Sequence, residues 1–239
     1  MQNPVSFVLI HGHGVDASIW DSIYADLAST GPVLKPDFSR LTSHSSIEAY
    51  AEELAARLQD AAIDEVVLVG HSMGGYIALA FAERYPEQVR GLVLFHSTAY
   101  ADDEDRKAQR KQLIETIRDQ GGAQFIEKQL PKTVAPSYPA EQVQTLVDRF
   151  RSLPTDALVV GMGAIASRPD RTHVLCEATF PVLLVLGKED QIISFEKTEK
   201  LADLSERITV APVERAGHLS MVEQPDAARQ ILEDFRKQV

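Results

Sequence analysis

Val66-Val67-Leu68-Val69-Gly70-His71-Ser72-Met73-Gly74-Gly75-Tyr76-Ile77-Ala78-Leu79-Ala80-Phe81-Ala82 sets a buried-strand run, a Gly-x-Ser-x-Gly turn and a helical run in immediate succession. Four apolar residues in a row suit a strand covered on both faces. The turn that follows is too sharp for bulky side chains beside the serine, and Gly70 and Gly74 give the backbone room. A serine so placed takes a strained conformation and stands clear of the sheet. It also sits at a helix N-terminus, where peptide dipoles favour negative charge. The segment reads as a nucleophile elbow with Ser72 as the nucleophile.

Outward from the elbow, five more apolar runs read as buried parallel strands: Ser6–Ile10, Val33–Pro36, Gly91–Phe95, Val182–Leu186 and Ile208–Val213. Helical patterns separate them at Ile47–Leu58, Gly75–Arg84, Phe195–Leu204 and Pro225–Lys237. The alternation predicts an α/β fold, a doubly wound, mostly parallel sheet of about six strands with its active loops at the strands' C-terminal ends. It breaks after Phe95. Helices are expected near Ala123–Leu130, Ala140–Arg151 and Pro154–Ser167, and no convincing strand lies between Thr98 and Thr179. Residues 98–179 therefore read as a helical lid on a core of residues 1–97 and 180–239. The run Asp102-Asp103-Glu104-Asp105, followed by Arg106-Lys107-Ala108-Gln109-Arg110-Lys111, suits a helix N-terminus and reads as a solvated helix face ending at Gly121-Gly122.

The 239 residues carry 35 acidic and 24 basic side chains, a formal net charge of −11. That balance argues against nucleic acid or an anionic membrane surface as partner. The single cysteine, Cys176, allows no intramolecular disulfide, and no apolar run approaches a membrane span. Met1-Gln2-Asn3-Pro4 leads directly toward a strand without the basic region or apolar core of a leader peptide. The chain is accordingly read as soluble and cytoplasmic, with the choice between monomer and homodimer open.

A serine hydroxyl is a weak nucleophile that needs a base, an acid to orient the base, and donors for an oxyanion. His218, in Ala216-Gly217-His218, follows the last strand and is the candidate base. Asp190, just beyond Val182–Leu186, is the candidate acid, with Glu189 as its rival. The backbone N–H groups of Met73 and of His13, in the loop Ile10-His11-Gly12-His13-Gly14, are the candidate oxyanion donors. Gly12 lets the backbone approach substrate. His71 is expected to point away from Ser72 and to support it by packing. His44, His96 and His173 lack the late post-strand placement of His218. Phe125, Phe150 and Met162 of the lid are expected to line an apolar substrate pocket, in company with Ile126, Leu130, Leu153, Leu158 and Val159.

Ile10-His11-Gly12 with Trp20 downstream, Gly70-His71-Ser72-Met73-Gly74-Gly75, Tyr85-Pro86, Gly187-x-x-Asp190 and Gly217-His218, in this order, resemble the lidded esterase-like branch of the α/β-hydrolase superfamily. The resemblance covers nearly the whole chain outside the lid. It implies serine-hydrolase chemistry without metal or organic cofactor. Ser72 would attack a carbonyl, His218 would take its proton, and water activated by His218 would release the acyl-enzyme. Many members begin with a β-hairpin before the His-Gly strand, from which this chain departs, so six strands are expected instead of eight. Family topology then puts Val33–Pro36 at an edge, where Lys35 and Pro36 discourage further pairing. The segment Asp37–Ser43 departs from the glycine-rich turn that relatives carry. Haloalkane dehalogenases and epoxide hydrolases, which this family also contains, carry aspartate where this chain has Ser72. The expected substrate is a small, fairly apolar ester or lactone. The alternatives are C–C bond hydrolysis, lyase or perhydrolase chemistry with the same residues, and a non-catalytic ligand-binding module on the same scaffold.

Overall fold

The six apolar runs pair into one parallel sheet of order β2-β1-β3-β4-β5-β6. The strands are β1 (Ser6–Ile10), β2 (Val33–Leu34), β3 (Val66–His71), β4 (Val89–Phe95), β5 (Val182–Gly187) and β6 (Ile208–Val213). The computed structural model describes residues 5–239. Met1–Pro4, read above as the lead into the first strand, lie outside the described residues. β2 is an edge strand and shorter than its apolar run. Only Val33 and Leu34 register with Phe7 and Val8, and pairing stops before Pro36, which has no N–H to donate.

Side chains alternate across the sheet, as the two-residue period of a strand requires. Val8, Leu68, Leu92 and Leu184 face one layer, which contains α2 (Ile47–Asp60) and α3 (Met73–Arg84). Phe7, Val67, Val93 and Val185 face the other, which contains α1 (Asp21–Ser29) and the C-terminal helix Pro225–Arg236. The chain runs outward from β1 to β2 and then returns to β3 on the other side of β1. The loops leaving β1 and β3 therefore diverge and open a crevice at the strands' C-terminal ends.

Between β4 and β5 every regular element is helical: α4 (Glu104–Gln120), α5 (Gly122–Gln129), α6 (Ala140–Phe150), α7 (Thr155–Ser167) and α8 (Thr172–Glu177), with a short 3₁₀ turn at Leu130–Lys132. Asp103 caps α4, its carboxylate accepting the Arg106 N–H at 2.8 Å. Gly121, at φ 87°, ends it in a conformation that disfavours other residues. Asp102 pairs with both Arg110 of α4 and the buried Arg168 after α7, fastening the start of one helix to the end of the other. The expected helix over Phe195–Leu204 is split into α9 (Phe195–Thr198) and a 3₁₀ turn, Glu199–Leu204. Three helices have no counterpart among the expected elements: α1, α8 and α10 (Ser220–Glu223), which precedes α11 (Pro225–Arg236). No helix among the described residues is long and apolar enough to cross a membrane.

Candidate active site

Ser72 joins β3 to α3 at φ 51° and ψ −114°. This left-handed backbone disfavours an L-residue and persists where its surroundings hold it in place. Its N–H donates to the Phe95 carbonyl at 3.0 Å, and its carbonyl accepts the Ser97 hydroxyl at 2.7 Å. The flanking glycines are obligatory on steric grounds. A Cβ on Gly70 would lie 2.3 Å from the Gly74 carbonyl oxygen, and one on Gly74 would lie 2.3 Å from that of Ile10.

His218 Nδ1 donates to Asp190 Oδ2 at 2.7 Å, and both side chains are buried. The other carboxylate oxygen, Oδ1, accepts the N–H groups of Ile192 and Ile193 at 2.8 and 3.0 Å. Burial alone would raise the Asp190 pKa. The charge of His218 and the hydrogen bond from it, with the His96 ring close by, outweigh it and hold the carboxyl far below the usual range. With Nδ1 committed, Nε2 is the nitrogen of His218 left to act on substrate. His218 and Ser72 open on the same cavity, of about 470 Å³. No hydrogen bond joins the Ser72 hydroxyl to His218 in this conformation, a contact that enzymes commonly tighten when substrate binds.

Met73 N–H begins α3 and the His13 N–H lies in the loop after β1; neither has a hydrogen-bond partner among the described residues. Gly12 lies against the site, its missing Cβ position 3.1 Å from Ser72 Cβ and 2.7 Å from His71 Nδ1. The His13 ring is on the cavity wall, Nε2 donating to the Leu158 carbonyl at 2.8 Å. Burial, and then the positive charge of Arg110, lower its pKa to about 4 despite that bond. His71 Nε2 donates to the His218 carbonyl at 2.9 Å, so its ring supports the histidine loop from behind. Burial, followed by the charges of His218 and His96, keeps His71 neutral well below its ordinary range.

Phe125 and Met162 line the cavity; Phe150 does not. The expectation for Phe150 is corrected by its packing. It is fully buried, in the same apolar cluster as Leu146, Val147 and Leu153. The expectation that the acidic-basic run is a solvated face also needs correction. Arg106, Gln109, Arg110 and Leu113, spaced along one side of α4, face the cavity.

The family model described as the alpha/beta hydrolase family matches residues 7–231. The chain belongs to that family. This alpha/beta hydrolase is similar to a pimeloyl-[acyl-carrier protein] methyl ester esterase of Neisseria meningitidis serogroup A, at 30% identity over 95% of this chain and 75% of the relative. Among solved structures, a thermophilic esterase from Thermogutta terrifontis, solved with malate bound, superposes with a TM-score of 0.91. It is 27% identical over 98% of this chain and 90% of that one. The enol-lactonase from Burkholderia xenovorans LB400 shares the fold with a TM-score of 0.88, at 20% identity over 99% of this chain and 92% of that one.

Two buried side chains of this hydrolase were missed in the sequence. His96, at φ 48°, follows β4, and its Nδ1 lies 3.3 Å from Asp190 Oδ2 and 3.2 Å from the Gly187 amide nitrogen. Its Nε2 is 2.6 Å from Ser220 Oγ. The available signal is its placement directly after a strand, the same placement that marks His218. Glu223 accepts the N–H groups of Gly217, Leu219 and, from the helical insertion, Ala135. His96, Asp190 and His218 could each offer one ligand atom within 4.8 Å of the others. Those atoms already bond one another and the neighbouring backbone, and hydrogen bonding accounts for the cluster.

Proposed function

We propose that this alpha/beta hydrolase cleaves a carboxylic ester or lactone through an acyl-enzyme, with Ser72 as nucleophile, His218 as general base and Asp190 as the acid that orients it. The observation that carries the reading is the buried Asp190–His218 pair together with Ser72 on a strained elbow, with Ser72 and His218 lining one cavity. Asp190, kept ionised, fixes the tautomer with hydrogen on Nδ1, which leaves Nε2 to take the Ser72 proton. The His13 and Met73 N–H groups receive the carbonyl oxygen as it becomes an oxyanion, with α3's N-terminal dipole behind them. The protonated His218 then gives its proton to the leaving alkoxide, and a water deprotonated by His218 releases the acid. Residues 98–179 form the cap that selects substrate.

The names of the relatives, an esterase of an acyl methyl ester and a lactonase, fit acyl transfer to water. A fluorophosphonate probe should label wild type and not Ser72→Ala, and short p-nitrophenyl esters should turn over. An unlabelled wild-type protein, with Ser72→Ala equal to it in esterase rate, would sink the proposal. Loss of the serine should cost several orders of magnitude in kcat, by about 10⁵–10⁶ if oxyanion donors supply the remainder.

A further inference from the structure

We infer that the substrate carries a carboxylate in addition to the bond that is cleaved, and that Arg106 of α4 binds it. The inference rests on the hydrolase reading above and names the substrate class for that site.

The starting observation is a charge imbalance. The chain has 35 acidic residues against 24 basic ones, yet among the described residues no Asp or Glu lines the cavity that holds Ser72 and His218. Arg106 and Arg110 do, together with Gln109 and Gln112 of the same helix. In a strongly acidic chain, a cavity lined by two arginines and no carboxylate favours an anionic group in whatever enters. His13, also on the cavity wall, feels the same charge, since Arg110 is among the causes that lower its pKa.

The two arginines are not equivalent. Arg110 is ion-paired with Asp102, which also holds Arg168, and its guanidinium reaches Met162 Sδ at 3.6 Å. It is a fixed part of the wall. Arg106 has no carboxylate within ion-pair distance among the described residues, and its one side-chain hydrogen bond is a long one, 3.5 Å, to Gln109. Three of the four acids just before it are committed elsewhere. Asp102 goes to the arginines, Asp103 caps the helix, and Glu104 pairs with Lys107 at 2.8 Å. Asp105 opens on the adjoining cleft, which Arg106 and Arg110 also border, yet Arg106 pairs with none of its carboxylates. Arg106 thus offers one open guanidinium fork at the cavity, and one carboxylate is the partner that fills a single fork bidentately. Phe125, Ile126, Leu130 and Ile165 line the same cavity and supply apolar surface for an intervening carbon chain.

The test compares kcat/KM for monomethyl adipate and methyl heptanoate, which have similar length and differ in the far carboxylate. Desolvation alone favours the neutral ester, so the direction of the preference is informative. The expected result is a preference of about tenfold or more for monomethyl adipate, weakened by added salt. Arg106→Gln should cut that ratio about tenfold, Arg106→Lys should cut it less, and Arg118→Gln, further along α4 in an exposed pair with Glu115, should leave it alone. A neutral-ester preference, a ratio unmoved by Arg106→Gln, or stronger competition by inorganic phosphate than by glutarate overturns the inference. Fluorophosphonate labelling of Ser72, run in parallel, separates the two failures: labelling with no charge preference removes the carboxylate and keeps the hydrolase, whereas no labelling removes the hydrolase reading itself.

Discussion

Glu223→Gln is expected to damage stability and turnover together, because one buried carboxylate holds the loop that carries His218 to the helical insertion. Glu223 Oε1 accepts the Leu219 N–H at 2.9 Å and Oε2 accepts the Ala135 N–H at 2.7 Å, with the Gly217 N–H shared between them at 3.1 and 2.9 Å. The His218 N–H completes the joint by donating to the Thr133 carbonyl at 2.6 Å. Gly217 must be glycine here, since a Cβ would fall 2.6 Å from the Ala135 nitrogen. Glutamine keeps one acceptor oxygen and turns the other into a donor. Either the Leu219 or the Ala135 N–H then faces an NH₂ group, and the remaining bonds lose their charge assistance. Hydrogen bonds to charged groups contribute about 1.5–3 kcal/mol, and a buried unsatisfied donor costs about 1–3 kcal/mol, so a net loss of about 3 kcal/mol is expected. For a chain of this size that lowers Tm by about 6–12 °C. His218 is displaced with its loop, and a shift approaching 1 Å costs up to about 10²-fold in rate. Thermal denaturation and ester kinetics on the same preparation measure both. A Tm within about 1 °C of wild type with kcat/KM within about twofold would refute the reasoning.

Asp190→Asn should lower kcat by about 10³–10⁴, because an amide facing Nδ1 favours the wrong imidazole tautomer; a loss under about tenfold in steady-state assays would contradict the assigned role. His13, lowered from 6.5 to about 4, is held neutral in the folded protein while the unfolded chain takes up its proton near 6.5. Its contribution is therefore intact above pH 6.5 and is lost as pH falls through about 4, with a ceiling of about 3 kcal/mol at about 1.4 kcal/mol per unit. His71 and His96, also lowered, act with the same sign. Urea midpoints across that pH range should fall steeply in wild type and less so in His13→Gln; parallel curves would rule His13 out as a source. His96→Ala should reduce kcat about tenfold with little change in KM, and His96→Asn, which keeps a polar atom near Asp190, should recover part of it. A change in KM alone would mark His96 as shaping the pocket instead.

The sheet was readable in the sequence for a specific reason. Strands buried on both faces must be apolar at consecutive positions, and Ser6–Ile10 has the limits read from that signal. Ile208–Val213 also has its expected limits, although as an edge strand it is covered only in part. β2 is two residues shorter than its expected run, because pairing ends at Leu34 and Lys35-Pro36 do not continue an edge strand. The helical insertion was harder. A helical stripe of apolar residues has the same appearance whether it faces a cavity or a neighbouring helix, and so Phe125 and Phe150 could not be told apart before their packing was seen. Charged residues carry a similar ambiguity. The alternation of Asp102–Lys111 fits a solvated face, and nothing local reveals that one side of that helix is turned toward Ser72. Glu223 was unreadable for a different reason: its partners include Ala135, 88 positions away.

The backbone itself divides the labour between sheet and insertion. Four non-glycine residues among those described have positive φ, and three of them, Ser72, His96 and Arg215, follow β3, β4 and β6 at the same edge of the sheet. Ser72 and His96 sit at or immediately beyond their strands' ends, and Arg215 lies three residues before His218. Left-handed backbone costs on the order of 1–3 kcal/mol per residue and is retained where the surroundings over-determine it. Clustered here, it turns the chain sharply out of the sheet just where side chains must converge on Asp190. The insertion shows no such strain among its described non-glycine residues. It contributes ordinary helices whose side chains can be exchanged without re-aiming the backbone. Substitutions on α4 and α5 should accordingly change which ester is taken while Ser72 labelling persists. The Thr133–Ala135 segment, bonded to the histidine loop, is the part of the insertion where a change should affect both.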